Sequence, residues 1–194
     1  MTAAVDGRAS SRPRRTRFPV LVLVAVVVSS LAASATAVAL GSRADLSSSR
    51  RRVDAAWVKL RPALDARYRS LGAAVTVARV RLAAGRAAFD EIDAAVAAWP
   101  DTTRSSTDRQ VAAAARLEGL AGRLSATVAT TPRLRSASDV AEAMNRLQQT
   151  DTATARTAYN AAVGVYQRAR GGFPRRLVAG ALGYDDRRTL EVPA

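Results

Sequence analysis

The chain contains no cysteine and no histidine, and Lys59 is its only lysine. Without cysteine there can be no disulfide, thiolate nucleophile, thiolate metal site or lipidated amino terminus. Without histidine, Ser-His-Asp catalysis and imidazole-ligated zinc are excluded. A Ser-Lys pair would need Lys59, and no Ser-x-x-Lys motif precedes it. No glycine-rich phosphate loop occurs. The carboxylates offer little more. Asp90 and Asp93 stand one helical turn apart beside Glu91, in an alanine-rich stretch with nothing to separate their pKa values. Asp139 and Glu142 read as first-turn carboxylates favoured by the helix dipole, and Asp185-Asp186 lacks the spacing of a calcium loop. These absences predict a protein that is not an enzyme and holds no cofactor or metal.

Charge is missing altogether from residues 18–40, FPVLVLVAVVVSSLAASATAVAL. Crossing the hydrocarbon core takes about 20 apolar residues at ~1.5 Å each. Valine and threonine are no obstacle there, because lipid offers the backbone no partner but itself. The run predicts a transmembrane signal-anchor helix. A cleaved signal peptide is the competing reading, with Ala33-Ser34-Ala35 or Ala37-Val38-Ala39 placed for cleavage. An ordinary signal core spans roughly 7–15 residues, and the greater length here favours retention. Retention or removal of residues 1–39 stays open at this point.

The flanking charges orient the run. Arg12, Arg14, Arg15 and Arg17, with Arg8, oppose only Asp6. The positive-inside rule keeps residues 1–17 in the cytoplasm as a basic tail and exports the rest, although Arg50, Arg51 and Arg52 pull the other way from a basic juxtamembrane linker at 41–52. Within the run, Ala25, Ser29, Ala33, Ala37 and Gly41 form an i, i+4 stripe of small residues that could pack two helices closely. The alternative is that this stretch is simply rich in alanine and serine.

Beyond the run the sequence reads as helix throughout. Val53, Trp57, Leu60, Leu64, Leu71, Val75, Leu82, Phe89, Ile92 and Val96 recur at mostly helical gaps. Pro62 should kink this helix or mark a start, and Gly72 is a second weak point. Trp99-Pro100-Asp101 ends it. A second helix carries Val111, Ala114, Leu117, Leu120, Leu124 and Val128 and closes at Thr131-Pro132. A third starts near Ser138, read as its N-cap, and passes Val140, Met144, Leu147, Ala155, Tyr159, Val163 and Tyr166 to Gly171-Gly172. From 138 to 170 it would be roughly 50 Å long. The expected fold is all-α: a single N-terminal transmembrane helix, then an elongated antiparallel bundle of three to four long helices over 53–184. A polar tail at 185–194 follows.

Several residues between Thr131 and Tyr184 carry a resemblance. Pro132, Leu134 and Leu147-Gln148 come first, then Ala155-Arg156-Thr157-Ala158-Tyr159-Asn160-Ala161-Ala162-Val163 and Tyr166. Phe173-Pro174, Leu177, Ala179-Gly180 and Gly183-Tyr184 complete it. This pattern resembles the C-terminal part of the LemA family, and weaker agreement extends back to Ala56-Trp57. The resemblance implies a short cytoplasmic tail, one membrane helix, an exported helical bundle and no established enzymatic activity. It also marks Trp57, Arg156, Tyr159, Asn160, Val163, Tyr166, Phe173, Pro174 and Gly180 as family-like structural residues. The chain departs from the family at 66–73, where an acid and a proline of the usual turn are missing, and is identified as a divergent member.

Tyr159, Val163 and Tyr166 share one helix face, which suits core packing better than a binding groove. Asn160 beside them either bonds across helices or faces water. Phe173-Pro174 should fold Leu177, Val178 and Leu182 over one end of the bundle, with Arg175 and Arg176 outward. A small membrane-surface element is the alternative.

The 30 basic residues less the five before the run leave 25, and the 16 acids less Asp6 leave 15, so the exported part is near +10. Such a surface attracts anionic headgroups or acidic wall polymers; a solvated, compositionally biased surface is the plainer reading. Nucleic acid is not an expected partner, because the basic residues are scattered rather than interleaved with aromatics. Membrane lipid, another envelope protein and a second copy are the expected partners. The expected function is an envelope scaffold or adaptor at the outer face of the membrane. Its contact surfaces would be the exposed bundle face and the collar of Arg50, Arg51 and Arg52, which are also the candidate membrane-surface contacts. The alternative is a basic module whose surface binds anionic lipid headgroups or acidic wall polymers directly.

Overall fold

The computed structural model describes residues 17–82, 86–172 and 175–191, with side chains from Arg43 onward apart from 86–88 and 178. Among these residues every regular element is helical. The chain divides into two compact units, Met1–Gly41 and Ser42–Ala194.

In the first unit the backbone is helical from Arg17, the start of α1 (Arg17–Arg81). Arg12, Arg14 and Arg15 lie outside the described residues, as do the side chains of Arg17 and of the small-residue stripe from Ala25 to Gly41. Among the described residues no helix is long and apolar enough to cross a membrane. The side chains of the run at 18–40 lie outside that set.

In the second unit α1 supplies one long wall. Leu46, Val53, Trp57, Leu60, Leu64, Tyr68, Leu71, Val75 and Ala78 are all buried along it, at the gaps of three, four and seven that keep side chains on one helix face. The helix continues through Pro62, so no helix starts there. Proline deprives the carbonyl four residues earlier of its donor, and both Pro62 and Val58 lie on the exposed face, where water can replace it. Gly72 does not break the helix either. A Cβ there would stand 3.4 Å from Val96 Cγ1, so this glycine sits where α2 comes close.

The expected single helix from Val53 to Trp99 is two. α1 ends at Arg81 and α2 (Arg86–Ala98) follows, folded back so that Arg79 pairs with both Asp90 and Asp93. Phe89 and Ile92 of α2 enter the core. Pro100 stops α2 as expected and opens a 3-10 turn, Pro100–Arg104. Next come α3 (Thr107–Thr130) and the single turn α4 (Pro132–Arg135). Val111, Ala114, Leu117, Leu120 and Leu124 form the buried stripe of α3.

The expected third helix is also interrupted. α5 (Ser138–Gln149) and α6 (Ala153–Arg170) are separated at Thr150, Asp151 and Thr152, so no helix of ~50 Å exists there. The Asp151 carboxylate accepts from Ala153 N–H at 2.7 Å, and such short polar side chains compete with helical backbone bonds. Ala137, not Ser138, is the N-cap of α5; the first-turn bond is Asp139 Oδ1 accepting from Val140 N–H. α6 stops at Gly171 as the glycine pair predicts.

α7 (Arg175–Ala181) follows. Leu177 and Leu182 do not form the expected apolar cover: they are 65% and 44% exposed, and among the described side chains of α7 only Ala179 is buried. Phe173, Pro174 and the Val178 side chain lie outside the described residues. Residues 184–191, polar in composition, instead pack on the bundle without regular structure, burying Arg187 and Leu190.

Candidate functional site

The tail from residue 184 to 191 is held by one face of α6. Arg170 Nε donates to Tyr184 O at 2.9 Å, Tyr166 OH to Asp185 O at 2.7 Å, Gln167 Nε2 to Arg187 O at 3.0 Å and Tyr159 OH to Arg188 O at 2.9 Å. Asn160 closes the row by donating to Leu190 O at 3.1 Å and accepting from Leu190 N–H at 2.9 Å. The spacing of 159, 160, 163, 166, 167 and 170 confines these residues to one side of a helix. The irregular main chain of the tail therefore finds a row of side-chain donors and one acceptor along α6.

One side chain of the tail is buried as a cation. Arg187 donates to Asp108 Oδ2 at 2.9 Å and reaches Asp54 Oδ1 at 3.4 Å, which ties the tail to α3 and α1. Burial works against its charge, but the Asp108 and Asp54 carboxylates outweigh this and raise its pKa. Burial likewise pushes the Tyr159 and Tyr166 hydroxyls above the ordinary tyrosine range.

A second polar cluster lies where α1 meets the 3-10 turn. Trp57 Nε1 donates to Gln110 Oε1 at 2.7 Å, and Arg61 donates to the same oxygen. Arg61 also donates to Thr103 Oγ1 at 2.7 Å and stacks 4.8 Å above the Trp99 ring. Trp99 Nε1 donates to Asp65 Oδ1 at 2.6 Å. The aromatic rings continue the contact, with Tyr68 edge-on to Trp99 at 4.9 Å and Trp57 edge-on to Tyr159 at 5.4 Å. Open clefts of about 380 and 320 Å³ flank Arg61; Asp65 and Thr103 line both, and Val58 stands 69% exposed on the rim of the smaller.

Deeper in the bundle Arg67 forms a fork-to-fork pair with Glu118, Nε to Oε1 at 2.9 Å and Nη2 to Oε2 at 3.0 Å. It also donates to Leu147 O at 2.9 Å. This arginine joins α1, α3 and α5. Burial, followed by the negative charge of Glu118, raises the Tyr68 hydroxyl far above its usual range. The Tyr68 proton goes to Ala114 O at 3.1 Å.

The model of the LemA family matches residues 56–194. The chain belongs to the LemA family. Neither a curated relative nor a solved structure matches it.

The LemA match takes in the tail, and the motif residues show why. Tyr159, Val163 and Tyr166 are fully buried, yet the two hydroxyls and Asn160 all point their polar atoms at the tail. They are core residues and tail ligands together. Trp57 is buried against Tyr159. Arg156 is half-buried in the first turn of α6. Gly180 is exposed in α7, with open space where its Cβ would be. Phe173 and Pro174 fall outside the described residues.

The remaining sequence candidates are scattered. Arg50, Arg51 and Arg52 are exposed, and Arg50 lies 5.9 Å over the Tyr184 ring. The carboxylates weighed for catalysis face arginines. Glu91 meets Arg116 and Arg123, and Asp139 meets Arg81. Hydrogen bonds from Arg116 and Arg81 lower the Glu91 and Asp139 pKa values respectively. Sequence reasoning missed Arg187, Asp54, Asp108, Gln110 and Glu118. Their cross-helix partners stand 49 to 133 positions away, which no local pattern records.

Proposed function

We propose that this LemA-family protein is a non-enzymatic, membrane-anchored scaffold or adaptor. Residues 18–40 span the bilayer once with the amino terminus in the cytoplasm, and the unit Ser42–Ala194 lies on the outer side, where it binds another envelope protein. The observation that carries this reading is the juxtaposition of an uncharged run long enough to span with a compact unit that has its own core. The clefts beside Arg61 suit a protein partner. They present the half-buried Arg61, arginine being one of the side chains that dominate protein contacts, with Val58 and Pro62 exposed at the edge. Alkaline carbonate extraction tests the anchor, which should keep the full chain in the membrane pellet. Protease added to spheroplasts tests the side, and should digest 42–194. Extraction into the supernatant, or protection of that unit, would sink the reading.

A second reading has one observation in its favour. Leu177 and Leu182 are exposed beside the exposed Arg175 and Arg176, and Arg50 reaches Tyr184 just beyond α7. Leucines flanked by arginines suit an anionic headgroup layer. Salt-sensitive pelleting of residues 42–194 with phosphatidylglycerol vesicles, lost in Leu177→Ser/Leu182→Ser, would support lipid contact. Absence of pelleting would leave the adaptor reading alone.

A further inference from the structure

The tail site on α6 has the properties of a peptide groove. Five side chains of α6 address residues 184–191, and their six hydrogen bonds go to main-chain atoms; their contact with a side chain of the segment is the ion pair of Arg170 with Asp186 at 3.3 Å. Bonds to the main chain do not depend on side-chain identity; pockets for particular side chains add the specificity. Here two side chains of the segment are buried, Arg187 between Asp108 and Asp54 and Leu190 in the core. The groove thus reads an extended segment with arginine and leucine three positions apart. The segment leaves α7 at Gly183, whose φ of +69° only glycine adopts freely.

We propose that this face of α6 is a docking groove for an extended Arg-x-x-Leu segment, and that the trans occupant is the same tail presented by a second copy of the chain. The cis tail is the resident ligand, and another copy carries a segment of identical chemistry. The acidic pair Asp54 and Asp108 selects for the arginine by charge. The inference is independent of the membrane reading, since it concerns only contacts within Ser42–Ala194.

A labelled peptide of residues 183–191 and the full chain in detergent micelles form the test. The cis tail competes at a high effective concentration, so wild-type chain should bind the peptide on the order of 100-fold more weakly than Arg187→Ala chain, whose own tail has lost its anchor. Adding Asn160→Ala to the Arg187→Ala chain should abolish binding, as should peptides carrying Arg187→Ala or Leu190→Ala. A chain ending at Gly183 is the second groove donor and should also bind. Mixed with full-length Asn160→Ala chain, which donates a tail but has a damaged groove, it should form a heterodimer that excess peptide dissociates. No peptide binding to either groove donor overturns the proposal. So does failure of the shortened chain to fold, since a groove that exists only around its own tail cannot exchange it. Peptide binding without the heterodimer overturns the assignment of the second copy as the trans partner.

Discussion

Asn160 engages both backbone polar groups of Leu190, donating to its carbonyl at 3.1 Å and accepting from its N–H at 2.9 Å. A side-chain amide has one donor face and one acceptor face, and few other residues can match both at once. Asn160→Ala removes the pair and leaves two backbone groups to find water. The expected loss is about 1–3 kcal/mol in urea unfolding, with the tail newly open to carboxypeptidase. Asn160→Asp keeps the acceptor but sets a carboxylate against the Leu190 carbonyl, so at neutral pH it should be no more stable than the alanine variant.

Arg187 holds the middle of the tail. Its side chain is 7% exposed, but Asp54 and Asp108 are 44% and 39% exposed, so water screens the pair and moderates its worth. Arg187→Met should cost about 1–2 kcal/mol, less than a fully buried pair would. Arg187→Lys should restore less than half of that, because an ammonium cannot reach both carboxylates with a planar fork. Thermal unfolding of the three proteins under one set of conditions checks the order.

Much of this architecture could be read in advance, because helix faces are local. The buried stripe from Val53 to Val75, the stripe of α3 and the trio Tyr159, Val163 and Tyr166 all follow from spacing alone. Boundaries are harder where local signals conflict with tertiary ones. Pro62 sits in an unbroken helix because the buried neighbours on either side outweigh one lost bond on the wet face. The Thr150-Asp151-Thr152 break follows from short polar side chains competing with the helix, a weaker signal than proline. The tail could not be anticipated, since Asp-Asp-Arg-Arg reads as a solvated end. Only the fold brings Arg187 to Asp54, 133 positions away. Asn160 is ambiguous in sequence for the same reason: its partner lies beyond two glycine turns.

Arg67 and Glu118 make the most buried ion pair in the described part of the bundle, with Glu118 at 1% and Arg67 at 18% side-chain exposure. Glu118→Ala strands the guanidinium against Leu147 O and should cost about 3–5 kcal/mol. The double variant Arg67→Met/Glu118→Leu removes both charges and fills much of the space. It should recover most of the loss, because replacing a buried pair by apolar groups avoids the desolvation that the pair incurs. If the double variant is as unstable as Glu118→Ala, the pair contributes more than its own mutual compensation. Urea denaturation of the two variants decides.

Two glycines should respond oppositely to alanine. Gly122 lies in the interior of α3, exposed, with no atom within 4 Å of the point where a Cβ would stand. Gly122→Ala should stabilise the protein by about 0.5–1 kcal/mol through helix propensity. Gly183 has equal room, but its φ is +69°. Gly183→Ala should destabilise by about 1 kcal/mol, since an L side chain meets its own backbone there. The contrast separates backbone conformation from packing, and the melting temperatures should move in opposite directions.

Alkali should act through the buried tyrosines. Tyr68, Tyr159 and Tyr166 have hydroxyls raised above the ordinary value of about 10 by burial. Unfolding exposes them to water and returns them to that value. The folded protein therefore holds protons that the unfolded chain has released, and stability falls as pH climbs past the unfolded pKa. The contribution is complete below about 10 and disappears as pH passes through the folded values. The phenolate signal of Tyr68, Tyr159 and Tyr166 should rise only when the circular dichroism of the helices collapses, and Tyr68→Phe should shift that collapse to higher pH. Its hydroxyl faces Glu118 as well as Ala114 O, so the same substitution should cost about 1 kcal/mol at neutral pH. Smooth titration of Tyr68, Tyr159 and Tyr166 with the helices intact would show that these hydroxyls are open to water in the folded chain.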